Sequence, residues 1–227
     1  MSRFGLAILD AVSTAVARVL FRFDVRGLDH LPLNGPYILI SNHISAFEFP
    51  ALRVLLRPRA VRTLAKSESW DRKALAWMFN QWKAIPIRRG ESDMSALRTA
   101  LQVLKDGGIL GIMPEGTRSG DGRLARGNPG ITILAQKSGC PIVPMAFWGV
   151  ERVNANLKHF RRTEFHFRVG EPFTLAFPTG RTTREDRQAL ADEVMQHIAE
   201  LLPRSYHGVY RDTMATSSAA SESPPKS

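Results

Sequence analysis

Short apolar runs alternate with stretches of helical periodicity along most of the chain. Residues 37–40, 61–65, 84–87, 109–113, 142–147 and 164–169 are apolar or alternating runs of strand length and predict strands. Between and beyond them, apolar positions at helical spacing predict helices over 47–56, 71–81, 93–105, 131–137 and 184–201. Two helix boundaries carry recognisable local chemistry. Ser92 is placed to cap the helix at 93–105 and Gly107 to end it; Asn128 followed by Pro129 reads as an N-cap with proline at the first helical position. Strand–helix alternation predicts an α/β fold, a single domain with a largely parallel central sheet flanked by helices and preceded by an N-terminal amphipathic helix. In such sheets reactive residues gather beyond the carboxyl ends of the strands.

The two ends of the chain are patterned differently. At about 100° per residue, Ile8, Leu9, Val12, Val16 and Val19 fall together on one face, with Arg3, Asp10, Thr14, Arg18 and Arg22 on another. Residues 1–26 therefore read as an amphipathic helix, and two placements stay open for it. It could lie in a membrane interface with its cations towards headgroups, or pack on the protein's own core. Asp10, Ser13, Thr14 and Arg18 break the only long apolar run, which excludes a transmembrane helix there and argues against a cleaved signal peptide. Residues 211–227, ending in MATSSAASESPPKS, have too little apolar content to offset their ordering entropy and predict a disordered tail. One domain over 27–210, with its chemistry between 37 and 150, remains.

Composition adds a charge to this picture. Of 227 residues, 31 are basic and 21 acidic, a net +10, and 24 of the basic residues are arginine. Such an excess fits a phosphate- or carboxylate-rich partner, such as anionic lipid or a coenzyme, as readily as a compositional bias. No nucleic-acid-binding motif accompanies it. Cys140 is the single cysteine, so an intramolecular disulfide and a cysteine-clustered zinc site are excluded, and the cytosol or the cytoplasmic side of a membrane fits best. Within 53–66, Arg53, Arg57, Arg59, Arg62 and Lys66 stand without an acid and could meet anionic lipid or another anionic partner, or be an ordinary solvated segment. Trp70, Trp77, Met78, Phe79 and Trp82 could contact membrane or a bound apolar chain, with core packing the main role for most.

The chemistry-bearing residues sit at strand ends. The strand at 37–40 runs into SNHISAFE (41–48), that at 109–113 into PEGTRS (114–119), and that at 84–87 into Arg88 and Arg89. His43 and Glu48 would diverge on a continuous helix. With His43 in the loop and Glu48 in the first helical turn, the carboxylate could fix the imidazole tautomer and leave one nitrogen to accept a proton. A structural reading, a histidine satisfied within its loop, stays open. Arg118 and Arg89 could grip phosphate with paired hydrogen bonds, or be surface charge, or, for Arg118, pair with Glu115. No G-x-S-x-G elbow, P-loop or G-x-G-x-x-G sequence is present to support a hydrolase, an NTPase or a dinucleotide enzyme. His159 and His166 lack a third metal ligand, and Cys140 reads as a small hydrophobe.

Taken together, NHISAFE (42–48), AIPIRR (84–89), EGTRS (115–119) and PIVPMAF (141–147) resemble, in order and spacing, the four blocks of the glycerolipid acyltransferase family, which includes bacterial 1-acylglycerol-3-phosphate acyltransferases. The resemblance covers roughly residues 25–175. It implies that His43 deprotonates an acceptor hydroxyl for direct attack on an acyl thioester, with Glu48 orienting it. It also implies that Glu115, Gly116, Thr117 and Arg118 shape the acceptor site, that Arg118 and Arg89 hold its phosphate, and that Lys66 lies nearby. Pro144 would shape the pocket. The implied partners are a lysophospholipid, acyl-CoA or acyl-ACP as co-substrate, and an anionic membrane surface from the cytoplasmic side, with no further cofactor, metal or nucleic acid. Two departures stand out: Glu48 replaces the family's aspartate, and Arg88 stands where Asp or Asn is common. The expected reaction is formation of phosphatidic acid; another lysophospholipid or amino-lipid acceptor, or an inactive basic lipid-binding module, are the alternatives.

Overall fold

The structure, a computed structural model, describes residues 3–46, 48–88 and 93–213. Among these the order is α1 (Arg3–Leu20), β1 (Phe21–Arg26), β2 (Tyr37–Ser41), α2 (Glu48–Leu55), β3 (Val61–Lys66), α3 (Lys73–Gln81), β4 (Ile85–Ile87), α4 (Met94–Lys105), β5 (Ile109–Ile112), α5 (Gly130–Ser138), β6 (Ile142–Trp148), α6 (Val153–Lys158), β7 (Thr163–Val169) and α7 (Arg184–Ala199). The strands form one sheet in the order β1-β7-β6-β2-β5-β3-β4. β6, β2, β5, β3 and β4 are parallel, whereas β7 runs antiparallel to β6 and carries β1 parallel to itself. The α/β fold is thus as expected, with one antiparallel junction.

β2 is buried at every position, as an apolar strand covered on both faces must be. Alternation along it divides the core. Leu39 packs with Ala51, Leu52 and Leu56 of the α2 region, and Ile38 and Ile40 pack with α4, α5 and α7. Phe79, Ala65 and Ala84 form a smaller third cluster with Trp70, Leu75, Met78 and Trp82, so most of these aromatics are core, as read; Trp77 is exposed.

β1 and α6 stand outside the elements that the pattern predicts. FRFDVR alternates with period two, and Phe21 packs edge-on against Phe165 at 5.2 Å. With no break between Leu20 and Phe21, the helical pattern of 1–26 runs over this strand signal. Asp93, not Ser92, caps α4, with its Oδ1 accepting the N–H groups of Ser95 (3.1 Å) and Ala96 (3.0 Å); Ser92 lies outside the described residues. Gly107, at φ 77°, ends α4 as expected: its N–H bonds to Leu104 and that of Gly108 to Val103. Asn128 Oδ1 accepts the N–H of Gly130 at 2.8 Å and opens α5.

α1 packs on the protein's own core, one of the two placements open to it, but on a face other than the expected apolar one. Leu9, Ser13 and Ala17 are buried, while Phe4, Ile8, Val12 and Val19 are exposed. Small residues let α1 approach closely, and Asp10, expected on the outer polar face, turns inward to Arg53 (2.7 Å) and Arg57 (3.9 Å). The basic stretch at 53–66 is partnered within the protein too. Arg59 donates to the carbonyls of Leu31 and Pro32, Arg62 to that of Lys83, and Lys66 pairs with Glu68 at 3.2 Å. Residues 211–213 continue as a helical turn, and the remainder of the expected tail lies outside the described residues.

Candidate active site

β2 ends at Ser41, and the loop that follows is held from three directions. Asn42 inserts its amide between strands, with Nδ2 donating to the Phe147 carbonyl (2.8 Å) and Oδ1 accepting the Phe147 N–H (3.0 Å). Next, the His43 backbone is gripped on both sides by the segment after β5. Its N–H donates to Glu115 Oε1 (2.8 Å), and its carbonyl accepts from the Ser119 N–H (2.9 Å). Last, Glu48 at the start of α2 folds back over the loop. Its Oε1 hydrogen-bonds His43 Nδ1, and its Oε2 accepts the N–H groups of Ile44 (3.1 Å) and Ser45 (2.9 Å).

His43 and Glu48 therefore meet although they are five apart in sequence, because the loop reverses before α2 begins. Glu48 is fully buried and His43 nearly so. The extra methylene of Glu48, relative to aspartate, is accommodated: the carboxylate reaches Nδ1 and two backbone N–H groups together. With the Nδ1–H donated to Glu48, Nε2 is the nitrogen left to accept a proton.

Glu115 is buried as well, and both its oxygens are engaged, the second by the Ala125 N–H at 2.8 Å. Burial pushes its pKa from 4.5 up to about 7, the nearby Glu48 charge adding to the rise and the two N–H donors opposing it. It holds the His43 peptide and also lines the cleft that His43 faces, and the alternative of an Arg118–Glu115 pair is not realised.

His43 lines a cleft of about 1150 Å³ at the carboxyl edge of the sheet. Its walls are mostly apolar and come from both faces, with Leu52 and Leu56 on one side and Leu97, Ile131 and Leu134 on the other. Lys66, Arg88, Gly116, Thr117 and Arg118 also line it. Arg118 is exposed and has no ion-pair partner among the described residues; Lys66 is held by Glu68, and Arg88 lies near Asp93 at 3.8 Å. Gly116 adopts φ 70°, so the turn itself requires glycine there. Arg89 lies outside the described residues. Pro144 sits in β6 opposite Ile40 and does not line the cleft. Reading the sequence assigned no role to Asn42 or Ser119, whose partners are distant in the chain.

The site thus combines a buried imidazole–carboxylate pair, with one ring nitrogen free to accept a proton, and a largely apolar cleft with cations on its walls, at the carboxyl edge of an α/β sheet. The acyltransferase family model matches residues 22–148. A 1-acyl-sn-glycerol-3-phosphate acyltransferase of Bacillus subtilis is 29% identical over 174 residues, 76% of this chain and 84% of that protein. The chloroplastic 1-acyl-sn-glycerol-3-phosphate acyltransferase of Brassica napus is 28% identical over 136 residues, where the chain spans only 39% of the relative. The fold is shared with the crystal structure of the 1-acyl-sn-glycerophosphate acyltransferase PlsC of Thermotoga maritima, at TM-score 0.63 and 24% identity over 86% of this chain and 79% of that one. The chain belongs to the acyltransferase family; it is similar to proteins named 1-acyl-sn-glycerol-3-phosphate acyltransferases and shares the fold of PlsC.

Proposed function

We propose that the protein transfers a fatty acyl group from a thioester, acyl-CoA or acyl-ACP, to the free hydroxyl of 1-acylglycerol-3-phosphate, forming phosphatidic acid. The observation that carries this reading is the buried His43–Glu48 pair on the wall of a cleft that also presents Arg118. His43 Nε2 takes the hydroxyl proton as the oxygen attacks the thioester carbonyl. The tetrahedral adduct then expels the thiolate, which recovers the proton from the imidazolium, and no covalent enzyme intermediate forms. Glu48 holds the imidazole orientation throughout, and Arg118 anchors the acceptor phosphate, with Gly116 and Thr117 shaping the turn around it and Lys66 alongside. Arg89 is proposed as a second phosphate ligand on the family resemblance alone.

The same reading makes the protein a peripheral enzyme on the cytoplasmic side of the membrane. Among the described residues no helix is long and apolar enough to cross a bilayer. The exposed Phe4, Ile8, Val12 and Val19 of α1 supply an apolar stripe for its surface.

The test is acyl transfer from labelled acyl-CoA, and separately acyl-ACP, to a panel of lysolipids, with His43→Ala in parallel. Phosphatidic acid is expected from wild type, and a loss of roughly 10²–10⁴-fold from the variant. Full transfer by His43→Ala would overturn the general-base role. Product only from another lysolipid would move the acceptor and keep the mechanism.

A further inference from the structure

α7 buries Leu190, Ala191, Val194, Met195 and Ile198 against the core. Counting back by three and four residues places Arg187 on that same inward stripe, where an apolar side chain would be expected. The residue is only partly accessible and lines the catalytic cleft. Its Nη1 is buried without a hydrogen-bond partner, and no carboxylate pairs with it among the described residues. A guanidinium is charged at any physiological pH, and an enclosed, unpaired arm costs free energy that a bound anion would recover. The surroundings suit an anion: Arg187 shares the cleft wall with Asn128, Pro129 and Gly130, at the amino end of α5, whose first turn holds no acidic residue. It also shares the cleft with Arg118. Arg187 lies outside residues 22–148, the span matched by the family model.

We infer that Arg187 is a phosphate-binding residue of the cleft, its guanidinium completing its hydrogen bonds on a phosphoryl group of a bound substrate. This rests on the acyl-transfer reading for the identity of that substrate, whose phosphate belongs either to the acceptor headgroup or to the coenzyme part of the donor.

The experiment is equilibrium binding by titration calorimetry in a His43→Ala background, where turnover is suppressed, comparing Arg187 with Arg187→Met. The dissociation constant for 1-acylglycerol-3-phosphate is expected to rise about 10- to 100-fold, the usual cost of losing a charged hydrogen bond. That for the matching monoacylglycerol should not move, and Arg187→Lys should recover part of the loss. A loss confined to coenzyme A, and absent with pantetheine, assigns the phosphate to the donor and equally supports the inference. Unchanged affinity for both phosphate-bearing ligands overturns it. Thermal denaturation without ligand gives an independent reading: Arg187→Met should match or exceed the parent, whereas a markedly lower Tm would mean a structural partner and count against the inference. If Arg187→Met does not fold, Arg187→Gln serves for the binding comparison. Absence of acyl transfer by the wild type would defeat the functional reading while leaving these binding results to decide on Arg187.

Discussion

At the scale of single residues, the site is a set of short reaches that hold one imidazole still. Glu48 fixes the ring, and Glu115 fixes the peptide that carries it. Because the pKa of Glu115 is raised from 4.5 to about 7, the native state binds its proton more tightly than the unfolded chain does. Between these two values the native state holds the extra proton, so this group's contribution to stability falls as pH rises from 4.5 to about 7 and is level beyond. The full linkage is at most about 3 kcal/mol. Urea denaturation across that window should show the decline, and Glu115→Gln should flatten it. An unchanged slope in the variant would assign the effect to other groups.

At the scale of elements, α1 shows how a helix can satisfy a protein and still leave a face for something else. The small and polar residues go inward, where Asp10 meets Arg53 at 2.7 Å, both partners being mostly buried. Large apolar residues go outward: Phe4 is 74% exposed and Val19 68%. A helix folding only for its own core would do the reverse. Phe4→Ser combined with Val12→Ser should weaken vesicle binding in a sedimentation assay by at least about tenfold, each large apolar side chain being worth roughly 1.5–3 kcal/mol when fully buried. Turnover on detergent-dispersed acceptor should stay within about twofold of the parent, since these side chains do not line the cleft. Equal vesicle binding would remove α1 from the membrane contact. α7 follows the ordinary rule, with a Thr183–Asp186 capping box and an apolar inner stripe, and only Arg187 departs from it.

At the scale of the whole molecule, three segments far apart in the chain, with the start of α2, are tied at one edge of one sheet. Asn42 joins β2 to β6, Glu115 and Ser119 join the loop after β5 to His43, and Glu48 ties α2 to the same loop. Asn42→Ala would leave both the N–H and the carbonyl of Phe147 unpaired in the core, at about 1–3 kcal/mol each. The expected outcome is a lower urea midpoint together with a lower kcat, because the loop carrying His43 loses its anchor. Lost stability with unchanged kcat would show that the remaining contacts suffice to place the imidazole.

The local patterns were enough to place most strands and helices, because burial alternates along a strand and recurs at helical spacing, and both rhythms are visible one residue at a time. They failed where two elements abut without a break, as at Leu20 and Phe21, where a helix passes directly into a strand. The pairing of His43 with Glu48 could be reasoned out, since it depends on one loop and one helix start. The partners of Asn42, the grip of Glu115 on the His43 peptide, and the pairing of Arg53 with Asp10 could not. Each depends on a residue brought close only when the sheet assembles in its crossed-over order. Chemistry at strand ends is thus written in the chain as types and spacings. Which of those charges face the cleft and which are tied down inside the protein is decided by tertiary packing, because desolvation and partner geometry exist only there.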